Sequence, residues 1–231
     1  MLSFYALALP ALKLSVDASH NPTQMSVFLQ IILLLTILSI APAILLMLTS
    51  FTRLVVVFSI LRHALGLQQT PPNQVLISLA LFLTFFIMTP VFKEVYTSGL
   101  QPYLQKQISE EELFKRSAKP IKEFMLKNTR EKDLALFVKL RGEERPKTKE
   151  DVSLLTLIPA FMISELKTAF QIGFLLYIPF LVIDIVVSSV LISMGVLMLP
   201  PMMLSLPLKL LLFVLVDGWN LLVMSLVKSF Y

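Results

Sequence analysis

The chain has 231 residues, 56% of them apolar and only 15% charged, with a mean hydropathy of +0.81. Soluble domains average about 25% charged residues, which argues against an ordinary cytosolic enzyme, and the absence of cysteine excludes a disulfide framework, a thiolate zinc site and a cysteine nucleophile. The net charge of +5 hides no one-sided basic stripe for nucleic acid, because 13 of the 20 Lys/Arg and 10 of the 15 Asp/Glu interleave within residues 97–153.

Residues 1–24 (beginning MLSFYALALPALKLSVDAS) have an apolar run of signal-peptide length and small residues near Ala18. They lack the basic residue that normally precedes such a run. The segment is therefore read either as a signal-like sequence or as an uncleaved apolar arm.

Residues 25–96 form a first membrane-associated region. A helix needs about 20 apolar residues to cross a bilayer core. Residues 27–48 meet that requirement without a charge, and Pro42 is placed to kink them. Residues 74–92 also meet it, entered through Pro71-Pro72 and closing near Pro90. Residues 51–67 do not: the uncharged run Leu54–Leu61 sits between Arg53 and Arg62 and covers only about 12 Å as a helix. Such a stretch lies at the interface, re-enters, or packs against protein.

Residues 97–153 read as a small soluble helical insertion. Ser109 and Glu112 form a capping-box pattern. Pro120 is expected to break or restart that helix, since it cannot donate an interior hydrogen bond. A last helix is predicted from Arg130 to Arg141, with Gly142 as its stop. A folded unit of this size is marginal alone, so it should lean on another subunit or on membrane-proximal helices.

Residues 154–231 form the second membrane-associated region. Residues 154–172 are apolar but carry Glu165 and Lys167. Residues 174–199 contain Asp184 as their one charge, and 208–227 contain Lys209 and Asp217. The fold class is thus an all-α integral membrane protein of apolar helical hairpins, nominally four spans, with a small helical insertion. Short-loop charges set orientation: Arg53 and Arg62, with no acid in 49–73, predict a cytoplasmic side for that segment. The insertion and both termini then lie outside.

No catalytic set is visible. His20 and His63 are isolated, and HExxH, GxSxG and phosphate-cradling loops are absent from the sequence. The reading is a protein that is not an enzyme and holds no cofactor or metal. The informative residues are charges in apolar surroundings. An ionised group at the bilayer centre costs at least about 2.5–3.5 kcal/mol, so Asp184 and Asp217 must face water, find a base or be protonated. Lys209 and Asp217 are about 12 Å apart along a helix and roughly 80° apart around it. Their partners should therefore come from other helices or other copies. Two readings follow: a polar pathway or proton relay, or buried ion pairs that fix helix register. Pairing is the general rule.

Residues 194–207 (MGVLMLPPMMLSLP) hold four methionines and three prolines. Proline excludes a continuous helix there. Irregular backbone at membrane depth survives only where protein buries it or a cavity adjoins it. Methionine is adaptable enough to seal around passing chains; a plain apolar turn is the alternative.

Four long stretches, LTSFTRLVVVFSILRHALG (48–66), PPNQVLISLALFLTFFIMTPVF (71–92), PAFMISELKTAFQIGFLLYIPFLVIDIVVSSVL (159–191) and LPLKLLLFVLVDGW (206–219), resemble the FliP family. These are flagellar type III export-gate proteins, with virulence-secretion relatives of the SctR and YscR kind. The resemblance runs from about Ala41 to Tyr231 and is least distinctive in the insertion.

The resemblance implies a core subunit of the export gate in the bacterial cytoplasmic membrane, within the flagellar basal body. About five FliP copies would join FliR and FliQ in a helical ring that encloses the passage for unfolded flagellar subunits, with FlhB and FlhA as further partners. An injectisome subunit is the alternative. A small-solute or ion transporter is a more distant one, since transporters commonly carry internal repeats and 27–92 does not repeat in 174–227. By position, Glu165 and Asp184 resemble the family's intramembrane carboxylates, Lys167 lies in the same SELK segment, and Lys209 and Asp217 lie in its second signature. The loop after Gly195 resembles a methionine-rich gasket, carried here by Val196, Leu197, Met198, Met202 and Met203. The family often has consecutive methionines directly after that glycine, where this chain has Val196 and Leu197.

Overall fold

A computed structural model describes residues 22–142, 148, 151–196 and 199–231. The described residues contain α-helix and no strand, as an all-α membrane protein requires. The chain divides into two units, Met1–Pro42 and Ala43–Tyr231. In the first, the described part belongs to helix α1, Pro22–Leu48, whose last turn and a half falls in the second unit. The question of a signal or an arm at 1–24 falls almost wholly outside the described residues. Helix α1 carries no charge and is apolar all round. Two of its hydroxyls are satisfied on its own backbone: Thr36 donates to the Ile32 carbonyl and Ser39 to that of Thr36, both at 2.8 Å. That is the local solution a low-dielectric surrounding demands.

The second unit is organised around the stretch that is too short to cross a membrane. Helix α2, Phe51–Ala64, places Leu54, Val57, Phe58, Leu61 and Ala64 at helical spacing, and all five are buried. They are covered by Leu76, Ala80, Leu83 and Ile87 of α3 (Asn73–Val95), and by Ala169 and Phe180 of α7 (Leu154–Ser193). Phe213 of α8 (Pro201–Leu215) and Leu222 and Leu226 of α9 (Gly218–Lys228) complete the shell. Of the three options open to a short apolar stretch, this chain uses packing against its own helices. Arg53 meets Glu165 and Ile60 meets Gly173, so α2 and α7 run in the same direction. They approach closely: a Cβ on Gly173 would lie 2.4 Å from Cδ1 of Ile60.

Several expected breaks do not occur. Helix α7 is continuous over 40 residues through Pro159 and Pro179, where a span confined to 174–199 was expected. At about 1.5 Å per residue it is near 60 Å long, twice a bilayer core. Helix α3 passes Pro90, continues through a π-helical turn at Tyr96–Leu100 and reaches the end of α4 (Gln101–Leu104) as one 32-residue apolar rod. Next to the proline, the Tyr231 hydroxyl donates to the Ile87 carbonyl at 3.3 Å. The expected span 208–227 is in contrast broken, into α8 and α9, bent by 64°. Among the described residues three helices are long and apolar enough to cross a membrane, or four if the bent pair counts as one.

In the insertion, α5 (Glu110–Asn128) starts at Ser109, whose side chain accepts from the Glu112 amide. The Glu112 carboxylate turns forward to Arg116 at 3.0 Å rather than back to close the box. Pro120 does not interrupt α5. The continuous helix sets Ile121, Phe124 and Met125 on one face against Leu157 and Phe161 of α7, and that packing outweighs the single hydrogen bond proline forfeits. Helix α6 (Glu131–Arg141) ends at Gly142, in the left-handed conformation at φ 65°. The insertion leans on its own chain. The Arg130 amide donates to Ser164 Oγ at 3.0 Å, Ser164 Oγ donates to Asp133 Oδ2 at 2.8 Å, and the Arg130 guanidinium reaches Thr168 and Gln171. Ser164, Thr168 and Gln171 form one polar stripe along α7.

Candidate functional site

Arg53 is 3% exposed and Glu165 is fully buried, yet they stand on helices 112 residues apart in sequence. Arg53 lies one turn into α2 and is turned inward with Leu54 and Val57. Glu165 lies on the face of α7 that carries Phe161 and Ala169 into the core. The contact is a two-pronged one: Nε donates to Oε2 at 2.9 Å and Nη2 donates to Oε1. The remaining donors are also used. Nη1 reaches the Ser229 carbonyl at 3.0 Å and its hydroxyl at 2.9 Å, and Nη2 reaches Asn128 Oδ1 at 3.3 Å. The Phe230 ring lies under the guanidinium, 3.7 Å from its carbon, and stacks on Phe124. One buried cation thus ties α2, α5, α7 and the segment after α9 together. A guanidinium suits this task because its planar fork satisfies a carboxylate and an aromatic face at once.

A second cation sits at the other end of α2. Lys209 of α8 is 3% exposed and donates to Asp184 Oδ2 of α7 at 2.6 Å and to the Ala64 carbonyl at 3.1 Å. The last carbonyls of a helix lack intrahelical donors and form its negative pole. The ammonium serves both that pole and the carboxylate. The expectation that Lys209 finds its partner on another helix is met within the same chain. Lys209→Met is expected to lower the stability of the detergent-solubilised protein by about 1–3 kcal/mol, through the buried Ala64 carbonyl and the half-buried Asp184 carboxylate it leaves unpaired. A thermal melt indistinguishable from that of the parent chain would remove this pair from the architecture.

The other predicted residues are placed differently. Arg53 is not a free loop charge, since 49–73 is largely helix and its guanidinium is buried. A cytoplasmic vote from that segment therefore rests on Arg62 alone. Arg62 itself bridges to the start of α3, donating to Asn73 Oδ1 at 2.6 Å and to the Pro71 carbonyl at 3.2 Å. His63 is bonded to the Ser59 carbonyl of its own helix. Lys167 and Asp217 are exposed and take no part in either ion pair. Of the gasket residues, Leu197 and Met198 lie outside the described residues, and Val196 is half-buried. Met202 and Met203 are exposed on the first turn of α8. Irregular backbone was expected throughout 194–207, but helix resumes at Pro201, a position where proline needs no donor, and continues through Pro207.

Sequence reasoning missed Asn128, Ser229, Phe230 and the Ala64 carbonyl. No local pattern marks them, because each acts only by meeting a cation from a distant segment. Among the described residues no cluster of His, Asp and Glu could hold a metal ion.

The FliP family model matches residues 34–226. A Bacillus subtilis protein named flagellar biosynthetic protein FliP is 55% identical over 217 residues, covering 94% of this chain and 98% of that protein. Proteins of the same name from Aquifex aeolicus (55%, 87% of this chain and 85% of theirs) and Caulobacter vibrioides (52%, 97% and 84%) are equally similar. With the match spanning the α2 core, both ion pairs and the bent α8–α9 pair, the chain belongs to the FliP family and is a membrane-associated flagellar biosynthesis protein.

Proposed function

We propose that the chain is a core subunit of the flagellar protein export gate, which with FliQ and FliR forms the channel for unfolded flagellar subunits. The observation that carries this reading is where the charges in apolar surroundings go. Arg53, Glu165, Lys209 and Asp184 are consumed in two ion pairs inside one chain. They lock α2 against α7 and α8 and are spent on rigidity, so a single copy offers them to no carried ion. A passage is then built between copies, whose broad apolar outer faces suit lipid and neighbouring subunits alike. In this reading the gate lies in the cytoplasmic membrane with the insertion outside, FlhB and FlhA adjoin it, and no covalent step takes place on the chain.

The turn around Gly195 and the exposed Met202 and Met203 supply a pliable apolar constriction. Met202→Ala with Met203→Ala is expected to raise the leak of small ions through the assembled gate, measured as conductance or as growth inhibition. Unchanged leak would reduce the segment to a connector. The decisive test of the whole reading is co-expression with FliQ and FliR, purification and imaging. The expected result is a multi-copy ring with this chain in it. A monodisperse single copy that neither recruits FliQ and FliR nor supports motility would overturn it.

A further inference from the structure

Of the five charges Glu165, Lys167, Asp184, Lys209 and Asp217, two are left over once the internal pairs are counted. Lys167 is exposed on the face of α7 turned away from α2, beside an open groove of about 820 Å³ lined by Ile163, Phe170, Phe174 and Leu175. Its ammonium has no hydrogen bond or ion pair among the described residues. Asp217 is exposed at the 64° bend between α8 and α9 and likewise has no side-chain partner there. It is flanked by the exposed Leu215, Val216, Trp219 and Leu221. Lys167 stands among apolar side chains with Gln171, which accepts from the Arg130 guanidinium, at the rim of the groove, and Asp217 is the one ionised group between Leu215 and Leu221. In apolar surroundings a charge persists only with water or with an opposite charge, and these two are opposite in sign.

The backbone adds a second, independent observation. Asp217 holds φ 50° and ψ 52°, the left-handed region that an aspartate occupies at a cost. The adjoining Gly218 lies so close to the Phe213 ring that a Cβ there would come within 2.3 Å of it. Trp219 in turn packs edge-on to that ring at 5.5 Å. The bend is thus a built corner that presents a carboxylate and an indole together.

We infer that this corner seats in the α7 groove of a second copy of the chain, with the Asp217 carboxylate accepting from the Lys167 ammonium. Trp219 enters between Phe170 and Phe174. The contact is head-to-tail, since the corner and the groove are different surfaces of the chain, and such contacts propagate into rings or helices. It rests on the reading above, that copies associate, and it names the surfaces by which they do.

The test uses the full chain in membranes that also contain its export partners. Lys167→Glu and Asp217→Lys are each expected to lower the yield of multimers on native gels at least about tenfold, and the two together to restore it. Single variants that multimerise normally, or a double variant no better than the singles, would overturn the contact. A second measurement avoids reliance on folding of those variants. The chain has no cysteine, so K167C and D217C chains carrying different tags can be joined only at those positions by a short bis-maleimide, which adds to one thiol of each chain. A product between the K167C and the D217C chain, and none between two K167C chains, is expected. Multimers present without that product overturn this contact alone. Absence of multimers in the parent chain overturns both the contact and the export-gate reading.

Discussion

Glu165→Leu is expected to be the most damaging single change in the protein, costing about 3–5 kcal/mol because it strands a buried guanidinium. Arg53 has 3% of its surface exposed and every remaining partner is a neutral acceptor or the Phe230 ring. Water cannot reach it to compensate. Arg53→Met is expected to cost a similar amount by stranding the carboxylate. The double variant Arg53→Met with Glu165→Leu is expected to lose markedly less than the sum, since an apolar pair of similar volume escapes desolvation altogether. Chemical or thermal unfolding in detergent reads the three values. Additive losses would mean that the two side chains are not energetically coupled, and the hub described above would reduce to its individual hydrogen bonds. Motility in the same strains separates the roles: if the pair serves rigidity, the stable double variant exports, and if it carries protons, it does not.

The second large effect concerns packing without charge. Gly173→Val is expected to cost about 1–3 kcal/mol or more by overpacking, because its Cβ would meet Cδ1, Cγ2 and Cβ of Ile60 at 2.4, 2.9 and 3.1 Å. The first two atoms can rotate away. The Ile60 Cβ cannot move unless helix α2 moves. Ile60→Ala should therefore rescue Gly173→Val in part, and export or protein yield in the paired strain measures it. A Gly173→Val protein as stable as its parent would show that α2 and α7 stand farther apart than 2.4 Å implies, and would loosen the account of α2 as the core.

How much was legible beforehand follows the range of each interaction. Ser109 and Gly142 were readable as the start and stop of insertion helices, since capping and left-handed termination are settled within four residues. The apolar runs at 27–48 and 74–92 were readable from composition. The prolines misled in both directions. Pro90, Pro120 and Pro207 sit inside unbroken helices, whereas the break at Val216-Asp217 falls where no proline stands. A proline costs one hydrogen bond, and tertiary packing decides whether that cost is met. The same holds for Arg53, which looked like a loop charge because its carboxylate partner is 112 residues away.

Composition and hydropathy by themselves determined that this chain is helical and lives against an apolar solvent, because those properties depend on which residues are present and on their local spacing. Only the tertiary structure decided which charge meets which, that a helix too short for a membrane becomes the centre of the core, and that Lys167 and Asp217 stay outside the two ion pairs. Those outcomes depend on distances between residues far apart in the chain. A low-dielectric interior makes each such distance worth several kcal/mol, and no local pattern in the sequence records them.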